Sequence, residues 1–129
     1  MSECEVKIAA TVTELGEEVP VRERFVTGED PTATVHQYRT LPAASTEMLQ
    51  LGSIAVSVCD GIWIKAGDAT IYVDTTVSIG GTAAADFNAE LACPAGQSLW
   101  ISPPLATTSI AVLGTAGQTY EYLAVGRTS

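Results

Sequence analysis

The chain has 129 residues, of which 47% are apolar and only 16% charged. Such a composition argues against disorder over most of the length, which needs low hydrophobicity and high charge, and the length suits one domain with or without an arm. Fifteen acids against six bases leave a net charge of −9, which argues against a nucleic-acid binder, since that needs a basic face to neutralise phosphates, and against a partner for anionic membranes.

The first residues, Met1 to Glu5, have neither the basic nor the apolar region of a signal peptide, so no export is expected. The longest uncharged window, Leu91 to Tyr120, is interrupted by Pro94, Gly96, Pro103, Pro104, Gly114 and Gly117. No transmembrane helix is expected there. Small and β-branched residues with many glycines suit short strands and tight turns.

Residues 1–40 carry eight acids and four bases, and the remaining 89 carry seven and two. The first segment, Glu5 to Val12, alternates, with Val6, Ile8, Ala10 and Val12 on one side. The second, Val19 to Val26, offers Val19, Val21 and Phe25. The polar stretch Glu14-Leu15-Gly16-Glu17-Glu18 between them predicts a β-hairpin. Loop residues Thr27 to Pro31 follow. Beyond Tyr38 the pattern is a succession of short strands: Met48 to Leu51, then Ile54, Val56 and Val58, then Ile62 to Lys65 after the hairpin signal Asp60-Gly61. Ala66-Gly67-Asp68 predicts a turn before Thr70 to Val73, and Val77 with Ile79 a further short strand. Phe87 to Cys93 reads as extended, Pro94 to Gln97 as a turn, and Leu99 to Ile101 as a strand. Ser109 to Leu113 and Thr119 to Val125, joined at Gly114 to Gly117, read as a final hairpin. Turn signals every 8–12 residues and no long helix predict an all-β sandwich or closed barrel.

Few residues suit chemistry. His36 is the lone histidine, with no G-x-S-x-G elbow to make it part of a triad, and reads as a surface or interface residue. Asp60, Asp68 and Asp74 lack the spacing of a calcium loop and read as turn aspartates. No metal and no cofactor is expected. Three cysteines, Cys4, Cys59 and Cys93, without a C-x-x-C pair read as thiols, with a Cys59–Cys93 bridge left open. Trp63 lies between Ile62 and Ile64, and Trp100 between Leu99 and Ile101. If the aliphatic neighbours face the core, both tryptophans face outward, toward a protein partner first and a sugar second.

From about Met48 to Gly126 the chain resembles the small β-sandwich accessory proteins of tailed-phage virions. The stretches that carry the resemblance are Ile54 to Val58, the Pro94-Ala95-Gly96-Gln97 turn leading into Ser98 to Ile101, Ser109 to Thr119, and Tyr120 to Gly126. The resemblance implies a head decoration, head-fibre or tail-accessory protein with no active site.

Together these readings predict a jelly-roll-like β-sandwich over residues 38–129, preceded by an extended arm or hairpin over residues 1–37. The expected function is structural and non-enzymatic: a capsid decoration or cement protein, located in the virion and assembled in the host cytoplasm. It would bind the major capsid or another virion protein and itself, as a trimer, through Val6, Ile8, Val12, Val21, Phe25, Trp63 and Trp100. No nucleic acid and no membrane enters this reading. A tail-fibre or baseplate module binding a receptor or carbohydrate is the alternative.

Overall fold

A computed structural model describes residues 3–12, 19–26, 31–55, 58–78, 87–101 and 108–128; within its strands the side chains of residues 11, 12, 19–21, 78 and 108 are not described. Ten strands make up the described chain: β1 (Glu5–Val12), β2 (Val19–Val26), β3 (Ala33–Thr40), β4 (Thr46–Met48), β5 (Cys59–Ala66), β6 (Ile71–Ser78), β7 (Leu91–Cys93), β8 (Ser98–Ile101), β9 (Thr108–Leu113) and β10 (Thr119–Gly126). Strands β3 to β10 form two four-stranded antiparallel sheets. Sheet I has the order β3-β10-β5-β8 and sheet II the order β4-β9-β6-β7. Successive strands mostly cross from one sheet to the other, as in a jelly roll. Strands β1 and β2 pair only with each other, in a separate two-stranded sheet.

The two sheets enclose one core. Sheet I contributes Ile62, Ile64, Ala66, Tyr120, Tyr122 and Ala124, and sheet II contributes Ile71, Val73, Cys93, Ile110 and Val112. In β5 the aliphatic positions Ile62 and Ile64 are fully buried while Trp63 between them is half-buried and Lys65 exposed. Period-2 alternation therefore sets the faces of this strand, as it does in β3, whose residues alternate half-buried and exposed from Ala33 to Thr40. The two tyrosines of the core keep their hydroxyls satisfied. Tyr122 donates to the Gln50 carbonyl at 2.9 Å, and Tyr120 to Glu47 Oε1 at 2.7 Å.

Several local expectations are corrected by the pairing. The expected boundary after residue 37 falls inside β3, which pairs with β10 from Ala33↔Gly126 to Thr40↔Thr119. The sandwich sheet therefore already includes residues 33–37. Asp60 and Gly61 do not turn the chain; they lie inside β5. A glycine there is accommodated because the Trp100 indole occupies the space that a side chain would fill. Residues Ile54 and Ala55, at the start of the strand expected there, lie in irregular structure, tied by Ile54 N–H to the Leu51 carbonyl at 2.9 Å and Ala55 N–H to the Arg127 carbonyl at 3.1 Å. Val56 and Ser57 lie outside the described residues. The segments flanking Gly114 to Gly117 do not form a hairpin, because β9 belongs to sheet II and β10 to sheet I. Gln118 braces that connection: its side chain accepts from the Thr115 N–H and donates to the Ala69 carbonyl at 2.9 Å. Val77 continues β6, past an irregularity between Asp74 and Val77; Ile79 lies outside the described residues, as does the expected turn from Glu14 to Glu18.

Candidate functional site

The β1–β2 ribbon has two chemically distinct faces, because residues directly opposite each other in an antiparallel pair share a face. Val6 lies opposite Phe25, Ile8 opposite Glu23, Ala10 opposite Val21, and Val12 opposite Val19. The other face sets Glu5 opposite Val26, Lys7 opposite Arg24, and Ala9 opposite Arg22. The first face is largely apolar, yet Ile8 is 44% and Phe25 38% exposed. Val6 is half-buried. Val12 and Val21 take their places in the strands, and their side chains lie outside those described.

The second face is basic in an acidic protein. Lys7 and Arg24 are like charges placed directly across the strands, an arrangement that destabilises a bare pair. Glu5 bridges both, at 2.5 Å to Arg24 and 3.2 Å to Lys7, and the Arg24 hydrogen bond followed by that of Lys7 holds the Glu5 carboxyl below its ordinary range. These groups are open to water, where such pairs add little stability.

The outer face of sheet I carries the tryptophans. Reading across the sheet, His36 lies opposite Leu123, Leu123 opposite Trp63, and Trp63 opposite Trp100. Trp63, Trp100 and Leu123 form one wall of a cleft of about 670 Å³, whose other wall is the stretch Cys4 to Ala9. The structure thus brings Val6, Ile8, Trp63 and Trp100 to one cleft, while Phe25 is not among its lining residues. Neither tryptophan projects freely into solvent; both are half-buried.

A second row runs beside the first: Tyr38 opposite Glu121, Glu121 opposite Lys65, and Lys65 opposite Ser98. His36 Nε2 donates to Glu121 Oε2 at 2.6 Å, and Tyr38 lies directly opposite Glu121 across the strands. The His36 hydrogen bond, against a smaller effect of burial and with help from Tyr38, holds the Glu121 carboxyl below its ordinary range. The neighbouring Glu121 carboxylate raises the Tyr38 phenol. Tyr38, 77% exposed, is the most exposed large apolar side chain described. Sequence reading passed over it because it sits in a strand with no motif around it.

The three aspartates have structural partners or separate places. Asp74 is fully buried and accepts from Thr76 N–H at 2.8 Å, Thr76 Oγ1 at 2.7 Å and Asn88 N–H at 2.8 Å. Asp60 is in β5, and Asp68 follows β5 in the connection to β6. Among the described residues no group of three histidine, cysteine or carboxylate side chains is placed to hold a metal ion. Cys59 and Cys93 are both buried thiols, one in each sheet, and burial pushes the Cys59 thiol up. Compared with known proteins, the chain matches no family model, no curated protein and no solved structure. Its fold and surfaces define an all-β sandwich that carries a two-faced β-ribbon.

Proposed function

We propose that this chain is a non-enzymatic structural protein of a tailed-phage virion, a capsid decoration or cement protein that binds the coat and copies of itself. One observation carries this reading: an eight-residue-per-strand ribbon that pairs with no strand of the sandwich and leaves Ile8 and Phe25 open on one face. A two-stranded ribbon is marginal alone in water, and its unpaired edges invite a further strand. Docking on a neighbouring subunit satisfies both needs through main-chain pairing and side-chain burial. The scarcity of surface charge, and the cadence of turns and strands from Met48 to Gly126 that resembles such accessory proteins, support the same reading.

The test is a mass-spectrometric inventory, with copy number, of purified particles from the phage that encodes the chain. Hundreds of copies per particle are expected for a capsid decoration protein. A few to a few dozen would move it to a tail or vertex, and absence from the particle would overturn the reading.

A further inference from the structure

At one end of the polar row on sheet I lies a recess of about 370 Å³, bounded by Tyr38, Thr40, Lys65, Gly67, Thr119 and Glu121 among others. That volume falls within the roughly 300–1,000 Å³ of small-molecule sites, where an apolar lining is combined with a few convergent polar groups. We infer that this recess is a saccharide-binding site: a pyranose stacks its C–H face on the Tyr38 ring while neighbouring hydroxyls donate to Glu121 and accept from Lys65. The site is separate from the ribbon on which the structural reading rests.

The charges decide the class of ligand. Glu121 disfavours an anion. Lys65, directly across the strand from Glu121, disfavours a cation, while Arg39, which also lines the recess, is paired with Glu47. A neutral polyol with one apolar face remains, and it can use the carboxylate and the ammonium together. The carboxylate is already oriented. His36 occupies one of its roughly four lone-pair sites, which leaves the rest for ligand hydroxyls. A group fixed before the ligand arrives loses no rotamer freedom on binding. Tyr38 meets the His36 ring at a centroid distance of 5.2 Å and a tilt of 49°, which steadies the aromatic ring while 77% of the residue stays open.

The experiment titrates the isotope-labelled full-length protein with the methyl pyranosides of glucose, galactose, mannose and N-acetylglucosamine, each to tens of millimolar, and follows backbone amide shifts. At least one glycoside is expected to move the amides of Tyr38, Lys65, Gly67, Thr119 and Glu121 along a saturating curve. Tyr38→Ala and Glu121→Gln should each weaken that curve about tenfold or more, the equivalent of one good contact, whereas Tyr38→Phe keeps the stacking ring and binds nearly as the parent does. Trp63→Ala, in the neighbouring row, should leave the affinity unchanged. No shift at these amides with any of the glycosides overturns the inference. So do shifts centred on Trp63 and Trp100, or a folded Tyr38→Ala protein that binds undiminished. Particle binding of Tyr38→Ala, measured in parallel, reports on the ribbon reading alone.

Discussion

The indole of Trp100 fills the place where Gly61 has no side chain. A Cβ built on Gly61 would fall onto the six-membered ring of Trp100, which lies on the adjacent strand β8 directly opposite Trp63, two residues along β5 from Gly61. A glycine inside a strand weakens it through entropy and missing packing, and an aromatic ring laid across it restores the lost burial. Trp100 is consequently half-buried against its own sheet.

Gly61→Ala should therefore displace the Trp100 ring. Overpacking of this kind costs about 1–3 kcal/mol. Urea unfolding should show a lowered midpoint, and the tryptophan emission should shift to longer wavelength as the ring enters water. An unchanged emission spectrum and an unchanged midpoint would remove Trp100 from this role.

Asp74 holds the irregular part of β6 to the segment that leads into β7. Its buried carboxylate accepts two bonds from Thr76 and one from the Asn88 N–H. Asp74→Ala leaves those donors unsatisfied, and a loss of about 3 kcal/mol is expected. Burial pushes this carboxyl up, but the bonds from Thr76 and Asn88 outweigh it, so its folded value lies below the ordinary 3.8. A depressed folded value means that the stabilisation is complete above the ordinary value and is lost as pH falls through the folded one. The parent should lose stability below about pH 4, and Asp74→Ala should show a shallower acid slope. Equal slopes in the two proteins would refute the assignment.

Glu47 works with Tyr120 and Arg39. Its Oε1 accepts from the buried Tyr120 hydroxyl at 2.7 Å and from Arg39 Nε at 2.8 Å. Burial opposes its charge, yet the two donors keep the carboxyl below its ordinary range, while burial drives the Tyr120 phenol far above its own. Tyr120→Phe should cost about 1.5–3 kcal/mol, as for a hydrogen bond to a charged group. The double variant with Glu47→Gln should cost less than the sum of the two singles, because one contact is then counted twice. Strict additivity would show that the pair does not interact.

Removal of residues 1–30 should leave a folded sandwich, since β1 and β2 pair with none of its strands. Circular dichroism and a cooperative melt check the fold. Binding to particles should be lost. A truncated protein that binds at full strength moves the attachment surface to the body, with the Leu91–Tyr120 region as the next candidate. An unfolded one makes the ribbon part of the core.

Self-association is expected at tens of micromolar, as a trimer, and Ile8→Asp with Phe25→Asp should weaken it by placing charge on the apolar face of the ribbon. Sedimentation that shows only monomer for the parent would exclude association through this face at that concentration.

Alternation alone determined much of this protein. It placed Ile62 and Ile64 inward and Trp63 outward, and it predicted the β1–β2 ribbon with Val6, Ile8, Ala10 and Val12 on one side. Composition and turn spacing determined the all-β class. What alternation leaves open is the partner of each strand. A side-chain period of two reports a face, and a strand on the correct face can pair with any neighbour. The pairing of β3 with β10 joins Ala33 to Gly126, and only the closure of the whole sandwich decides it. The same closure sent β9 and β10 to different sheets despite the turn between them, and it kept Asp60 and Gly61 inside β5 because Trp100 arrives from a distant strand to cover the glycine. The row of Tyr38, Glu121 and Lys65 comes from three strands far apart in the chain. No local pattern marks it, because each residue is an ordinary outward position until antiparallel registry sets the three side by side.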